Sequence, residues 1–308
     1  MSNRSLSDYS LLILKGVAMG IANKIPGVSG GIVAVATGFY EELIFSFQRI
    51  NFKAVSLLFS GRFKTFWQYV NGKFLTALFV GIVLSYFTLS ILLDAALTAY
   101  PTHVWALFFG LVLSSALILF RDFSNWNKKN MMLGIIGLAV GLGLSILSPS
   151  DENTNLIYIF FCGYLSIIGM TLPGLSGSFL LILMGNYSLL LVDSVNALSR
   201  YIFSIFSNIE LLPQDKTYVL MFTVFLTGSL VGISTLSAII HKIQLRARDE
   251  LQAVLIGFVF GSLFILWPPN RIPNFTQINS TTDTILAVFW GMMGLIIVFA
   301  LGYYERKK

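Results

Sequence analysis

Lys24-Ile25-Pro26-Gly27-Val28-Ser29-Gly30-Gly31 interrupts an apolar stretch near the start of the chain, and Thr171-Leu172-Pro173-Gly174-Leu175-Ser176-Gly177-Ser178 interrupts another at mid-chain. Proline ends a helix because its nitrogen has no hydrogen to donate, and glycine lets the backbone turn where a side chain would forbid it. Apolar runs 11–22 and 28–40 flank the first interruption, and runs 156–170 and 179–192 flank the second. All four fall short of the ~17–25 residues that a helix needs to cross about 30 Å of hydrocarbon. Each pair therefore reads as two half-helices joined by an irregular tip. The expected elements are re-entrant helical hairpins over 11–46 and 156–198.

The two interruptions are copies. Adding 147 to a residue number superimposes Gly16 on Gly163, Pro26-Gly27 on Pro173-Gly174, and Ser29-Gly30 on Ser176-Gly177. The same offset pairs Gly38 with Gly185, Tyr40 with Tyr187, Gly81 with Gly228, Leu89-Ser90 with Leu236-Ser237, Gly110 with Gly257 and Ser115 with Ser262. The register slips only after Trp267, where 268–283 forms a longer loop than its counterpart. The domains expected are an N-terminal repeat, 1–150, and a C-terminal repeat, 151–308.

Composition supplies the solvent. The chain has 308 residues, 56% of them hydrophobic and only 11% charged, whereas soluble domains carry roughly 25% charged residues. Six further runs approach or reach membrane-spanning length: 74–93, 104–120, 131–147, 218–240, 251–267 and 284–303. The net charge of +6 does not point to nucleic acid, because the basic residues sit in short segments between apolar runs instead of on one face. Arg4 ahead of an apolar stretch and Ala34-Val35-Ala36 resemble a secretory signal, but Lys15, Asn23 and Lys24 interrupt it and the segment recurs at mid-chain, so it reads as retained. Cys162 lies inside an apolar run and can form no internal disulfide.

If each hairpin enters and leaves on one side, each half crosses the membrane three times, and the odd number turns the second half upside down. Charge agrees. The segments then on the cytoplasmic side hold Arg4, Arg49, Lys53, Arg62, Lys64, Lys73, Arg121, Lys128, Lys129, Lys242, Arg246, Arg248, Arg306, Lys307 and Lys308, fifteen in all. The outer segments hold three, Arg200, Lys216 and Arg271, and Lys15 and Lys24 lie in the first hairpin. This is the positive-inside pattern, with both termini cytoplasmic. The fold class expected is an all-α polytopic membrane protein of two inverted-topology repeats, each a re-entrant helical hairpin plus three transmembrane helices.

Interrupted segments at matching positions of inverted halves point to a transporter's binding site. The half-helices that begin after the tips present unpaired N–H groups and a positive dipole end, and glycine lets such backbone approach a ligand. Ser29, Ser176, Ser178 and Thr171 add hydroxyls, and Lys24 adds a charge. The set Lys24, Pro26, Gly27, Ser29, Gly30, Gly31, Thr171, Pro173, Gly174, Ser176, Gly177 and Ser178 suits an anion such as phosphate or carboxylate. Close helix packing also uses glycine and serine, and explains Gly81 or Gly110 well, but it does not call for a duplicated Pro-Gly-x-Ser-Gly. Gly27-Val28-Ser29-Gly30 matches the short motif of rhomboid intramembrane proteases too. The only histidines, His103 and His241, stand at expected helix ends, and a symmetric pair of motifs does not fit one nucleophile with one base. Glu41 and Glu42 follow the first hairpin and Asp193 follows the second. They lie either at the headgroup boundary or against a cavity, where Glu41 or Glu42 would couple transport to a proton or cation. The residues call for neither a metal nor a cofactor.

Gly16–Gly31 (GVAMGIANKIPGVSGG) followed by Thr37–Ile44 (TGFYEELI), with Leu172–Phe179 (LPGLSGSF) and Met184–Tyr187 (MGNY), resembles the paired signatures of the polyprenyl-phosphate transporter family, the PopT-type undecaprenyl-phosphate translocases. The resemblance covers nearly the whole chain. It implies a non-enzymatic flippase of a prokaryotic cytoplasmic membrane that returns undecaprenyl phosphate, the lipid carrier of cell-wall precursors, to the cytoplasmic leaflet. A secondary transporter of a small soluble anion would use the same tips and is the alternative. An intramembrane phosphatase or a scaffold fits the duplicated polar tips less well.

Overall fold

A computed structural model describes residues 5–28, 30, 33–34, 37–49, 52–147, 152–171, 175–207, 210–267 and 281–306. Among them the regular structure is helical. Six helices are long and apolar enough to cross a membrane: α5 (Gly72–Ala99), α6 (Pro101–Asp122), α7 (Lys128–Leu147), α11 (Asp215–Arg246), α12 (Arg248–Leu266) and α13 (Thr281–Arg306). They coincide with the six expected runs, with polar turns added at their ends. Helix α11 reaches 32 residues because Lys242 and Arg246 continue it beyond the apolar window.

The remaining helices are α1 (Leu6–Lys24), α2 (Tyr40–Gln48), α3 (Phe52–Phe59), α4 (Phe63–Tyr69), α8 (Leu156–Thr171), α9 (Gly177–Leu183) and α10 (Ser194–Ser204), with a π-helical turn over Leu189–Asp193. Helix α1 is longer than the expected half-helix. Ser5 and Asp8 close a reciprocal capping box at its start, and it runs 19 residues before Pro26 stops it. The expected half-helix 179–192 is a correction in the other direction. Helix α9 ends after seven residues, because Gly185 turns left-handed (φ 74°) and the Gly185 and Asn186 amides bond back to the Ile182 and Leu181 carbonyls. That is the glycine stop of a Schellman end. Gly38 has the same φ of 74°, and the Phe39 amide bonds back to Ala34 just as Asn186 does to Leu181.

Helices pack in four close pairs: α1 with α5, α8 with α11, α6 with α13, and α7 with α12. Small residues let the backbones touch, and the contacts recur at the offset of 147. Gly16 lies against the Leu78 carbonyl as Gly163 lies against that of Phe225. Gly81 meets the Ile13 carbonyl, and Gly228 meets that of Phe160. Gly110 meets Gly291 on α13, and its counterpart Gly257 meets Gly134 on α7. At one place the sizes are exchanged: Gly20 faces Ser85, and Gly232 faces Ile167. The first two pairs join helices within a half, whereas the last two join helices across the halves.

The core is centred on α9 and the π-helical turn. Phe179, Leu181, Ile182, Leu189 and Leu190 are all essentially inaccessible, and α6 and α12 enclose them with Phe108, Val112, Val259 and Leu266. A smaller core joins Leu12, Phe39, Leu43, Phe74 and Leu78 at the base of α1.

Candidate functional site

The first tip is a tight turn. Ile25, forced out of helical backbone by the proline that follows, is extended at φ −80° and ψ 124°. Pro26 and Gly27 (φ 80°) fill the central positions, and the Val28 amide bonds to the Ile25 carbonyl at 3.4 Å. Proline then a left-handed glycine is the signature of a type II turn. No side chain could replace the glycine hydrogen here, because a Cβ on Gly27 would stand 2.8–2.9 Å from the Leu111 and Val112 backbone of α6.

The turn leaves the Gly27 amide facing the second half. It donates to the Ser176 hydroxyl at 3.1 Å, a buried bond between residues 149 apart. Ser176 is also the N-cap of α9, accepting from the Phe179 amide at 3.2 Å, and its oxygen lies 3.2 Å from the Ser178 hydroxyl. One oxygen thus joins the two tips and starts the short helix. Ser176 and Ser178 are both buried. Gly177 is packed so that a Cβ would sit 2.8 Å from the Ser166 carbonyl of α8.

Lys24, the last residue of α1, is fully buried. Its ammonium donates to the Tyr86 carbonyl at 3.0 Å and lies 5.3 Å from the centre of that residue's ring. Among the described residues these are its partners. A carbonyl and a ring face supply partial charge only, so the ammonium keeps its attraction for an anion. The Lys24 carbonyl accepts from the Tyr187 hydroxyl at 3.1 Å, and Phe108 meets the Tyr187 ring edge to face at 5.8 Å. Two bonds therefore tie the first tip to the second half, one from Ser176 and one from Tyr187.

Of the residues singled out in the sequence, Lys24, Pro26, Gly27, Ser176, Gly177 and Ser178 cluster here, with Gly30 close by. Asn23 explains Gly30: its side-chain oxygen accepts from the Gly30 amide at 3.0 Å, spanning the turn. Ser29, Gly31, Pro173 and Gly174 lie outside the described residues, as do the side chains of Thr171 and Glu41. Glu42 sits elsewhere. It accepts from the Asn71 amide group at 2.8 Å and lines a polar cavity of about 290 Å³ with Asp8, Lys15 and Phe39 at the base of α1. In that cavity the Lys15 ammonium donates to the Thr37 carbonyl at 2.7 Å.

Sequence reasoning missed Asn23, Tyr86, Tyr187 and Ser90. The Ser90 hydroxyl lies 3.0 Å from both the Leu191 and Val192 carbonyls of the π-helical turn. Tyr187 and Ser90 both belong to pairs that recur at the 147 offset, and that recurrence was the available signal. Between α10 and the start of α11, Arg200 grips the fully buried Asp215 through both carboxylate oxygens, the shortest contact being 2.6 Å. Asn196 donates to Asp94 at 3.3 Å. Glu152 accepts from the Leu189 amide at 3.0 Å, and burial of its carboxyl, with the Asp193 charge nearby, raises its pKa above the ordinary 4.5.

Comparison with known proteins adds a lineage. The family model described as undecaprenyl phosphate translocase-like matches residues 19–285. A protein of Vibrio cholerae serotype O1 named polyprenyl-phosphate transporter is 32% identical over 279 residues, which is 90% of this chain and 83% of that protein. One of the same name from Staphylococcus aureus is 30% identical over 269 residues, 83% of this chain and 85% of that protein. No solved structure matches.

Proposed function

Because the chain belongs to the undecaprenyl phosphate translocase-like family of membrane transporters, we propose that it carries undecaprenyl phosphate or a related polyprenyl phosphate across a prokaryotic cytoplasmic membrane, with the phosphate held between the two Pro-Gly-x-Ser-Gly tips. The isoprenoid tail stays in hydrocarbon throughout and needs little from the protein. The phosphate is the obstacle, since moving a bare charge into an apolar medium costs on the order of tens of kcal/mol. One helix terminus contributes only about 0.3–2 kcal/mol. The Gly27 amide, the Ser176 and Ser178 hydroxyls and the Lys24 ammonium must therefore act together.

The observation that carries this reading is the Gly27–Ser176 hydrogen bond. It brings together the two donors that a phosphate between the tips would use. Breaking it frees the Gly27 N–H to face an oxyanion beside the Ser176 hydroxyl, which only accepts in this bond, so the bond is read as the closed, substrate-free arrangement of the gate. Recurrence of the helix contacts at the offset of 147 supports two repeats split near residue 150, and the distribution of basic residues supports their inverted insertion with cytoplasmic termini. Opposed tips would then let each half serve one leaflet. The reading involves no bond cleavage and no cofactor.

Liposomes containing the purified chain test it by following polyprenyl phosphate between leaflets. K24M and the double variant S29A/S176A should each lower the rate by roughly tenfold to a hundredfold, the equivalent of about 1.5–3 kcal/mol for a lost charge-assisted bond. Wild-type rates in both variants would remove the tips from the mechanism. Equal competition by a water-soluble phosphate would turn the reading toward a small soluble anion.

A further inference from the structure

Residues 49–73 carry Arg49, Lys53, Arg62, Lys64 and Lys73 and no acid. The residues 147 further on, 196–220, carry Arg200 and Lys216 against Glu210 and Asp215. The halves thus match in their tips and differ sharply in this segment. In the first half it folds into α3 and α4, of eight and seven residues, each too short to cross a membrane at 1.5 Å per residue.

These helices bury little. Phe52 is 86% exposed, Phe59 88%, Phe63 65% and Trp67 44%, and Arg62, Lys64 and Lys73 are exposed beside them. Aromatic side chains in such numbers are unfavourable in water, and cations are unfavourable in hydrocarbon. A short helix with both is stable where the two media meet. The segment is also fastened to the transport core. Asn71, left-handed at φ 57°, donates to the Glu42 carboxylate at 2.8 Å and to the Ser46 hydroxyl at 3.3 Å. Arg49 donates to the Tyr69 carbonyl at 3.1 Å, and its guanidinium lies 4.1 Å from the centre of the Phe45 ring.

We infer that α3 and α4 form an in-plane anchor that binds anionic phospholipid headgroups of the leaflet they face, with Phe52, Phe59, Phe63 and Trp67 at the acyl boundary and Arg62, Lys64 and Lys73 on lipid phosphates. Charge complementarity selects the occupant: a segment with five cations and no acid favours an anionic headgroup over a zwitterionic one. The anchor rests on the proposed function only for its assignment to the cytoplasmic side.

The full chain in vesicles tests it through Trp67, isolated as the fluorescence difference between wild type and W67F. Brominated phosphatidylglycerol should quench this signal several-fold more than brominated phosphatidylcholine at the same mole fraction. In R62Q/K64Q/K73Q the preference should fall to near equality between the two lipids, while quenching by brominated phosphatidylcholine persists because the aromatics remain. Equal quenching by both lipids in the wild type overturns headgroup selection. Absence of quenching by either, with a dimeric mass, assigns the face to a second copy and overturns the anchor as well. An anionic preference that persists in vesicles showing no polyprenyl phosphate movement would sink the transport reading and leave the anchor standing.

Discussion

Ser176→Ala removes one oxygen from the place where the halves meet. Two stabilising roles end together. Helix α9 loses its N-cap to the Phe179 amide, worth about 0.5–2 kcal/mol. The Gly27 amide, buried under α6, loses its acceptor, which costs about 1–3 kcal/mol for an unmade bond. No water replaces the oxygen cheaply in so enclosed a site, so the two terms should add to roughly 1.5–5 kcal/mol. Ser178→Ala is the internal control, because it removes only the hydroxyl contact at 3.2 Å and should cost about 0.5–1.5 kcal/mol. Steric trapping in bicelles measures both as unfolding free energies, and circular dichroism checks that the helical content is unchanged. An S176A value within about 0.5 kcal/mol of wild type, half the smallest penalty for an orphaned buried donor, would refute the bridging role of the serine.

Gly27→Ala and Gly38→Ala separate backbone strain from crowding. Both glycines are left-handed, so each alanine should pay about 1–2 kcal/mol for that conformation. Gly38 has open space around it and should pay no more, whereas Gly27 adds a clash with helix backbone; the thermal midpoint should therefore fall much further for G27A. Glu152 gives a pH-dependent case. Its folded pKa lies above the unfolded value, so the folded state binds the proton more tightly, and stability is lost as pH rises from 4.5 through the raised value. A glutamine at this position can still accept from the Leu189 amide without ionising, so E152Q should melt at or above wild type at neutral pH, with the difference vanishing below pH 4.5.

The six spanning helices were legible because lipid demands an uninterrupted apolar run, and such runs are visible in one dimension. Their ends were less so: Lys242 and Arg246 are poor residues for hydrocarbon but good ones for a helix that continues past it. Apolar length also misled at 179–192, where Gly185 breaks a run whose other residues are mostly apolar. Helices α3 and α4 were hidden by the opposite bias, since their basic residues resemble loop. At the site, Pro26, Gly27 and Ser176 could be picked out because backbone chemistry restricts those positions to few residues. Tyr86 could not, because it contributes a carbonyl and a ring face that many residues could supply. Which helix lies against which was also hidden: Gly110 and Gly257 announce a close approach without naming the partner.

The partner exchange between halves has a consequence for biosynthesis. Helices α1 and α5 can associate as soon as α5 has been made, and α8 and α11 can do likewise. Helix α7, however, meets its close partner among the described residues only when α12 emerges about a hundred residues later, and α6 waits for α13. The nascent chain therefore holds two unfinished surfaces in the bilayer until α12 and α13 have been made, and it is these two helices of the second half that hold α6 and α7 of the first in place.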